Sequence, residues 1–430
     1  MLERILTKQF RDALKATFMD IQKQQDIRDE KEFAKDEQRI KEQLLDTVDP
    51  FPQDVVFDED FLVGAVDGSG SDGLALLDDV RVHLFSTACV ILSTNTHSRD
   101  LFVPLDDGEI EKCLGESQPH LETFWYTGVK DDARTKMAEY IEYISSVSDP
   151  VEITLPFFRD FTRGEIDSWN DLKTSRYAKY LSRLESIKNL ISRVNLTNNT
   201  VHDQLRTVSE YAAARKILDS SIRPKYLLLD GAMSVFMHHI RNYPSMPSGF
   251  LLREMCARAR QEGVILCAVS KTHTIPFAHR IAQMAEDVFG GESKWFCHLP
   301  SNEDPGGGLH ITQSRTYIPP MLAVPYLFSF SRDNRPSRID FDRIWWLENI
   351  FVENDPIATR QNEKALFREL EFMSRDARWY GYPVPLAIAH EQCKLSYEDV
   401  RLAREICWDV RQEMDMDERR MEPPRTDFNL

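Results

Sequence analysis

The sequence lacks any long hydrophobic run. No stretch of its 430 residues approaches the roughly 20 uninterrupted apolar residues that a membrane-spanning helix needs. The first residues, from Met1 to Arg4, begin a charged amphipathic segment, whereas a signal peptide would have an apolar centre. We therefore expect no membrane insertion and a cytoplasmic location.

Paired cysteines are also absent. The seven cysteines are an odd number, and no two of them form a Cys-x-x-Cys pair. This pattern suggests neither a disulfide framework nor a zinc knuckle, and it predicts reduced thiols in the protein core.

Positive charge is scarce. The chain has 53 Lys and Arg residues against 70 Asp and Glu residues, which gives a net charge of -17. Nonspecific affinity for nucleic acid comes from Lys and Arg neutralising phosphates, so a protein that coats nucleic acid through a broad basic surface is excluded. A nuclease is still allowed, because a narrow channel can keep a local basic lining inside an acidic protein.

The N-terminal segment, residues 1–50, has apolar residues at three- and four-residue steps. It predicts an amphipathic helix, followed by a more polar helical stretch from Gln22 to Leu45 and a break at Pro50 and Pro52. Two interpretations stay open for this segment. It packs on its own domain, or it contacts a second copy or a partner.

A β pattern begins at Phe61. The apolar run to Val66 leads into Asp67-Gly68-Ser69, and the glycines from Gly68 to Gly73 predict a turn into a second strand. The second and third strands are expected at residues 80–92 and 100–105. Three strands joined by tight turns form an antiparallel meander.

A helical pattern follows, with an insertion at about residues 106–200 and a helix over 201–218 that carries Glu210. The apolar run from Tyr226 to Leu229 then ends in Asp230-Gly231. The alternation of strands and helices after it predicts a crossover with parallel pairing of the strands at 226–230 and 264–269. Further elements are expected as helices at 234–240, 249–261, 278–288, 361–375, 384–393 and 396–406, and as strands at 309–312 and 322–330.

These patterns predict an α/β protein with a mixed sheet, in which an antiparallel meander adjoins parallel crossover strands and extra helical segments. The main domain is expected over residues 55–410, followed by a polar tail over 411–430.

The two Asp-Gly pairs allow two interpretations. Asp and Gly are common in turns, so each pair could be turn chemistry alone. Alternatively, Asp67 and Asp230 lie near the same end of the sheet with Glu210 on a neighbouring helix, and their oxygens form the hard ligand set that Mg²⁺ or Mn²⁺ prefers. One or two such ions would activate water and stabilise the leaving oxygen of a phosphodiester.

Five short motifs, in this order, resemble those of the NurA nucleases. The matching residues are Asp67 in Val66-Asp67-Gly68-Ser69, Glu210 in Arg206-Thr207-Val208-Ser209-Glu210, Asp230 in Leu228-Leu229-Asp230-Gly231, Lys271 in Ser270-Lys271-Thr272 and His390 in the helix after Gly381-Tyr382-Pro383-Val384-Pro385-Leu386. The resemblance covers residues from about Phe61 to Ile406.

This resemblance implies a ribonuclease H-like fold and a DNA nuclease with exonuclease and endonuclease activity. Asp67, Glu210, Asp230 and His390 would hold Mn²⁺ or Mg²⁺, as one or two ions, and Lys271 would contact the phosphate. The family further implies a homodimer that works with a HerA-type hexameric ATPase in DNA end resection, repair or antiphage defence.

Alternatives accompany each of these assignments. Glu210 could be an ordinary surface residue, with Glu165 or Glu185 as the acid instead, because Glu is mostly exposed. His390 could be structural and Lys271 could face solvent, while His238, His239 and His273 are expected to be structural or surface groups. The alternative function is a catalytically weak structural or regulatory partner module of the ATPase.

Overall fold

The computed structural model describes residues 8–33, 37–38, 41–42, 60–78, 80–95, 101–115, 118–126, 133–147, 152–162, 164–178, 198–233, 247–271, 278–290, 294–299, 323–330, 336–379 and 381–417. Within them, one mixed sheet is formed by β1 (Leu62–Leu77), β2 (Val80–Thr94), β3 (Phe102–Pro104), β4 (His120–Tyr126), β5 (Tyr226–Asp230), β6 (Ile265–Ser270), β7 (Trp295–His298), β8 (Ala323–Ser329) and β9 (Ser337–Asp342). The strand order is β3-β2-β1-β5-β6-β9-β8-β7, and β4 also pairs with β2.

The helices of the described residues are α1 (Lys8–Phe33), α2 (Asp107–Leu114), α3 (Ala133–Ser145), α4 (Leu155–Thr162), α5 (Trp169–Thr174), α6 (Asn198–Asp219), α7 (Pro247–Gln261), α8 (Ala278–Phe289), α9 (Arg343–Asn349), α10 (Pro356–Phe372), α11 (Val384–Cys393) and α12 (Tyr397–Glu413). Short 3₁₀ turns lie at Glu152–Thr154 and Ala377–Trp379. None of the helices in this part of the chain has both the length and the hydropathy that crossing a membrane requires.

The predicted mixed α/β sheet is confirmed. The central strands β1, β5 and β6 are parallel to one another, and the remaining pairs are antiparallel. The parallel pairing of the strand that ends in Asp230 with the strand after α7 is as predicted. The ribonuclease H-like classification and the domain boundaries stay predictions.

The central strands are buried on both faces, as parallel strands in α/β proteins usually are. Leu227 and Leu229 of β5 belong to the core on the face that α6 and α7 cover. Tyr226 and Leu228 belong to the core on the opposite face, which α10 and α11 cover. Side chains along a strand alternate between its two faces, so each position on β1 and β5 has an assigned side.

Helix α11 begins in a proline-rich segment. Pro383 is its N-terminal cap residue, and Pro385 lies in its first turn, where a missing N–H does not interrupt the helical hydrogen bonds. The helix spans the predicted residues, and its buried face is apolar. Its last turn carries His390 above β1.

The glycine-rich segment after Asp67 was predicted as a turn, and this prediction is wrong. Strand β1 continues through it to Leu77, paired with β2 and interrupted by a register shift between Ser71 and Ala75. Asp67 therefore lies within the strand and not at its end. The physical reason is close packing, because an added Cβ at Gly68 or Gly70 would collide with side chains of α6.

Three strands were not predicted. β4 lies inside the insertion that was expected to be helical, and it pairs with β2 along residues 81–87. β7 and β9 complete the far side of the sheet. β4 and β7 lie at the edges of the sheet, and β7 has only four residues. β9 lies between β6 and β8, and it carries Asp340 and Asp342, a residue type that is uncommon in strands.

Several helix limits differ from those predicted. α10 begins five residues earlier than predicted, after its Asp355 cap, and α12 extends to Glu413 into the predicted tail. The predicted elements at 234–240 and 309–312 lie outside the described residues, as do most of the polar stretch after α1 and residues 418–430.

Candidate metal centre

Asp67 and Asp230 lie side by side on neighbouring parallel strands. Val66 and Leu229 form the last pair between β1 and β5. Asp67 and Asp230 are the next residues on these two strands. Adjacent strands are about 4.8 Å apart, and level residues on parallel strands point to the same face. Both carboxylates therefore emerge on the face that α11 covers, where β5 ends and β1 continues beside β2.

His390 contacts Asp67 directly. Its Nδ1 lies 2.8 Å from Oδ2 of Asp67, while Oδ1 accepts a hydrogen bond of 2.7 Å from the backbone N–H of Gly68. Asp67 is buried, whereas the His390 side chain is 48% exposed. In this pair, the carboxylate lies in the protein interior and the imidazole reaches the surface.

Asp230 is oriented by a tyrosine. The hydroxyl of Tyr382, just before α11, donates a 3.0 Å hydrogen bond to Oδ1 of Asp230. Lys271, directly after β6, places its Nζ 4.0 Å from the centre of the Tyr382 ring. Burial and the nearby Asp230 charge raise the pKa of Tyr382, so its phenol keeps the proton that it donates.

Glu210 reaches the same region from the opposite face. Its carboxylate lies against the backbone of Gly68, where an added Cβ would be 2.5 Å from Oε1. Arg206, one helical turn earlier on α6, donates a 3.0 Å hydrogen bond to the carbonyl of Gly68 and lies 3.8 Å from Oε1 of Glu210. The glycine after Asp67 therefore makes room for the third acid.

The electrostatics show that these acids repel one another. Burial raises the pKa of Glu210 from 4.5 to about 8; Arg206 lowers it, while Asp67 and Asp230 raise it. Asp230 is exposed as a residue, but its carboxyl group faces the protein, where desolvation and the charge of Asp67 raise its pKa. Clustered carboxylates of this kind are stabilised when a cation lies among them.

The donor set fits a divalent cation. The charges of Asp67 and Asp230 act on Glu210, the charge of Asp67 acts on Asp230, and the imidazole of His390 contacts Asp67. Hard oxygen ligands with one imidazole suit Mn²⁺ or Mg²⁺. Asp67, His390 and Cys393 also offer ligand atoms that all lie within 4.8 Å of one another. Burial and the nearby Asp67 and Glu210 charges raise the pKa of the Cys393 thiol, so it is protonated at neutral pH.

The structure brings all five predicted site residues into one region. Glu165 lies exposed between α4 and α5, and Glu185 and the histidines at 238, 239 and 273 lie outside the described residues. Three further residues of the site were not predicted, namely Arg206, Tyr382 and Cys393. Both Arg206 and Tyr382 belong to motifs quoted above. Arg206 is one helical turn before Glu210, and Tyr382 is just before α11, and these positions could have indicated that they belong to the site.

Substituting Gly68 by alanine tests how closely α6 approaches β1. The new methyl group would overlap the Glu210 carboxylate, so we expect the free energy of unfolding to fall by about 1–3 kcal/mol. Urea unfolding measures this change. Combining Gly68→Ala with Glu210→Ala should restore most of the stability, and a Gly68→Ala protein as stable as the parent would contradict the packing described.

Comparisons with known proteins give structural similarity alone. No protein-family model and no curated protein matches the sequence. The chain is similar to the NurA nuclease from Sulfolobus solfataricus, with 12% identity, a TM-score of 0.46 and coverage of 96% of this chain and 99% of that one. It is also similar to a NurA structure bound to dAMP and manganese, with 12% identity, a TM-score of 0.33 and coverage of 94% and 98%.

A further similar structure is endonuclease V from Ciona intestinalis in complex with a 24mer DNA that contains an inosine followed by a ribo-adenosine. It has 10% identity, a TM-score of 0.26 and coverage of 88% of this chain and 99% of that one. The chain is similar to NurA nuclease structures over nearly its whole length.

Proposed function

We propose that this protein is a metal-dependent nuclease that hydrolyses phosphodiester bonds of DNA. The observation that supports this proposal is the pair of acids Asp67 and Asp230 at the same level of neighbouring strands, with His390 in contact with Asp67 and Glu210 within reach of both charges. Asp67 contacts His390 at 2.8 Å, and both other acids have raised pKa values. Such a cluster of mutually repelling acids with raised pKa values is typical of a functional site, because it costs stability in the folded protein.

Asp67, Asp230, Glu210 and His390 would hold Mn²⁺ or Mg²⁺. A cation bound there supplies Lewis-acid chemistry, polarising the phosphate and favouring loss of a proton from water. The side chains around it have separate roles. Tyr382 fixes the orientation of Asp230 through its hydrogen bond, and the hydrogen bond from Gly68 fixes that of Asp67.

Two cationic side chains flank the acids on opposite sides. Lys271 lies at the end of β6 beside Tyr382, and Arg206 lies on α6 beside Gly68. Ammonium and guanidinium groups at such places bind phosphate oxygens and offset the negative charge that develops during hydrolysis. A polynucleotide strand crossing the ends of β6 and β5 and then β1 at Asp67 would pass both groups.

DNA as the substrate, a homodimer and a HerA-type hexameric ATPase are further parts of the proposal, and they come from the resemblance of the motifs. The net charge of -17 supports delivery of DNA by a translocating partner, because the surface as a whole repels phosphate. End resection, repair and antiphage defence are the roles that such a pair would serve.

A cleavage assay with the purified protein tests this function. Linear DNA labelled at one end should be degraded in the presence of Mn²⁺ or Mg²⁺, and chelation with EDTA should stop the reaction. Parallel reactions with and without a HerA-type ATPase test the partner separately. If calorimetry shows no Mn²⁺ binding up to millimolar concentration and DNA stays intact with the ATPase present, the protein is the regulatory module instead.

A further inference from the structure

A thiol lies beside the proposed cation ligands. Cys393 is fully buried, and it is three residues after His390 on α11, so both side chains lie on the same side of the helix. Its Sγ is 3.4 Å from the His390 carbonyl, and ligand atoms of Asp67, His390 and Cys393 all lie within 4.8 Å of one another. Oxygen, nitrogen and sulfur donors thus meet at one point.

This donor set differs in chemistry from the set of three carboxylates. Thiolate is a soft ligand that selects Zn²⁺ and related ions, whereas Mg²⁺ and Mn²⁺ favour oxygen. We propose that Asp67, His390 and Cys393 form a second cation site, which takes Zn²⁺, and that zinc bound there inhibits the nuclease. The zinc site does not depend on the proposed nuclease function. The inhibition by zinc does rest on that proposed function.

The distances suit zinc with small movements. Zinc bonds of about 2.0–2.3 Å in a tetrahedral site place neighbouring ligand atoms roughly 3.5 Å apart. Asp67 Oδ2 and His390 Nδ1 are now 2.8 Å apart, and the most distant pair of the three lies within 4.8 Å. Shifts of about 1 Å would therefore give these three atoms the spacing of zinc ligands, which is within the reach of a side-chain rotation.

Inhibition follows because two ligands are shared. Asp67 and His390 cannot serve both sets at once, and zinc binds a mixed site more strongly than Mn²⁺ does. Zinc held towards Cys393 takes these ligands away from Asp230 and Glu210. Binding also converts the Cys393 thiol into a thiolate and releases its proton to water, so it should be tighter at higher pH. The partly exposed His390 provides the route of entry.

Cobalt absorption tests the site directly. Co²⁺ is a spectroscopic substitute for zinc, and a thiolate ligand gives it a charge-transfer band in the near ultraviolet. We expect this band in the parent protein and its loss on addition of Zn²⁺. Cys393→Ser should lose the band, whereas Cys407→Ser, which changes a half-buried thiol on α12, should keep it.

Activity measurements form the second arm. For each protein, the Mn²⁺-dependent cleavage rate without zinc is the reference. The zinc concentration that halves this rate should be about tenfold higher or more in Cys393→Ser than in the parent, since one of three protein ligands is lost. Melting curves with Mn²⁺ establish that the variant is folded.

The outcomes separate the two proposals. A parent protein without the cobalt band, or a Cys393→Ser protein that keeps it, overturns the zinc site whether or not DNA is cleaved. Zinc inhibition equal in the parent and in Cys393→Ser overturns the inhibitory role. A cobalt band that depends on Cys393, in a protein without nuclease activity, supports the zinc site and refutes only the proposed function.

Discussion

Replacing Asp67 by asparagine is expected to lower metal-dependent DNA cleavage by at least about 10³-fold, because Asp67 is the buried acid that contacts His390 and is oriented by the backbone N–H of Gly68. Asparagine keeps the shape of the side chain and can still accept the hydrogen bond from Gly68. It removes the negative charge that would bind the cation. Initial rates on end-labelled DNA with saturating Mn²⁺ measure the effect, and Asp230→Asn should behave similarly.

The matched control for this loss is Glu165→Gln, which removes one negative charge from an exposed acid between α4 and α5. Its cleavage rate should equal that of the parent protein. The double variant Asp67→Asn with Asp230→Asn should be little worse than either single variant, since groups that hold one ion do not contribute additively. Undiminished cleavage by the double variant would rule out the proposed centre.

Replacing Glu210 by glutamine is expected to stabilise the cation-free protein at alkaline pH. The pKa of Glu210 is about 8 in the folded protein against 4.5 ordinarily, so between these values the folded chain keeps a proton that the unfolded chain has released. The stability that protonated Glu210 contributes is therefore fully present below pH 4.5, and it is lost as the pH rises to about 8. Each unit of pKa difference corresponds to about 1.4 kcal/mol in the free energy of unfolding. Because the charged form relaxes, we expect the total loss of unfolding free energy to be ~2–4 kcal/mol.

Urea unfolding in EDTA across pH 4 to 9 measures this difference. The free energies of unfolding of the parent and of Glu210→Gln should agree near pH 4 and diverge above pH 5, with the variant more stable. Glu165→Gln should follow the parent curve throughout. Adding Mn²⁺ should stabilise the parent more at pH 8 than at pH 5, because the ligands must be deprotonated to bind it. Parallel curves for parent and variant would contradict the raised pKa of Glu210.

Much of the central sheet was predictable because its signals are local. A few residues were enough to predict three of its elements, namely the apolar run before Asp230, the apolar run of β6 and the amphipathic helix between them. Their alternation then requires parallel pairing by a right-handed crossover. Helix α11 was predicted with its observed limits, because Pro383 and Pro385 mark where it begins.

Local signals failed where contacts between distant segments decided the structure. Gly68 and Gly70 have the composition of a turn, yet they continue β1, because α6 packs too closely there for any side chain. β4 was missed because its ladder partner β2 stabilises it, and its own seven residues carry only a weak alternation.

The same division applies to the site. By itself, the sequence determined which residues carry acid, imidazole and amine groups at the ends of apolar runs, because such patterns are short and local. Only the tertiary structure decided that the Glu210 carboxylate packs against Gly68, that Tyr382 orients Asp230 and that Cys393 lies beside Asp67. It also joined Asp67 to His390, which are 323 residues apart in the chain. The physical reason is that strand register and helix packing, which bring such distant residues together, depend on the burial of the whole core.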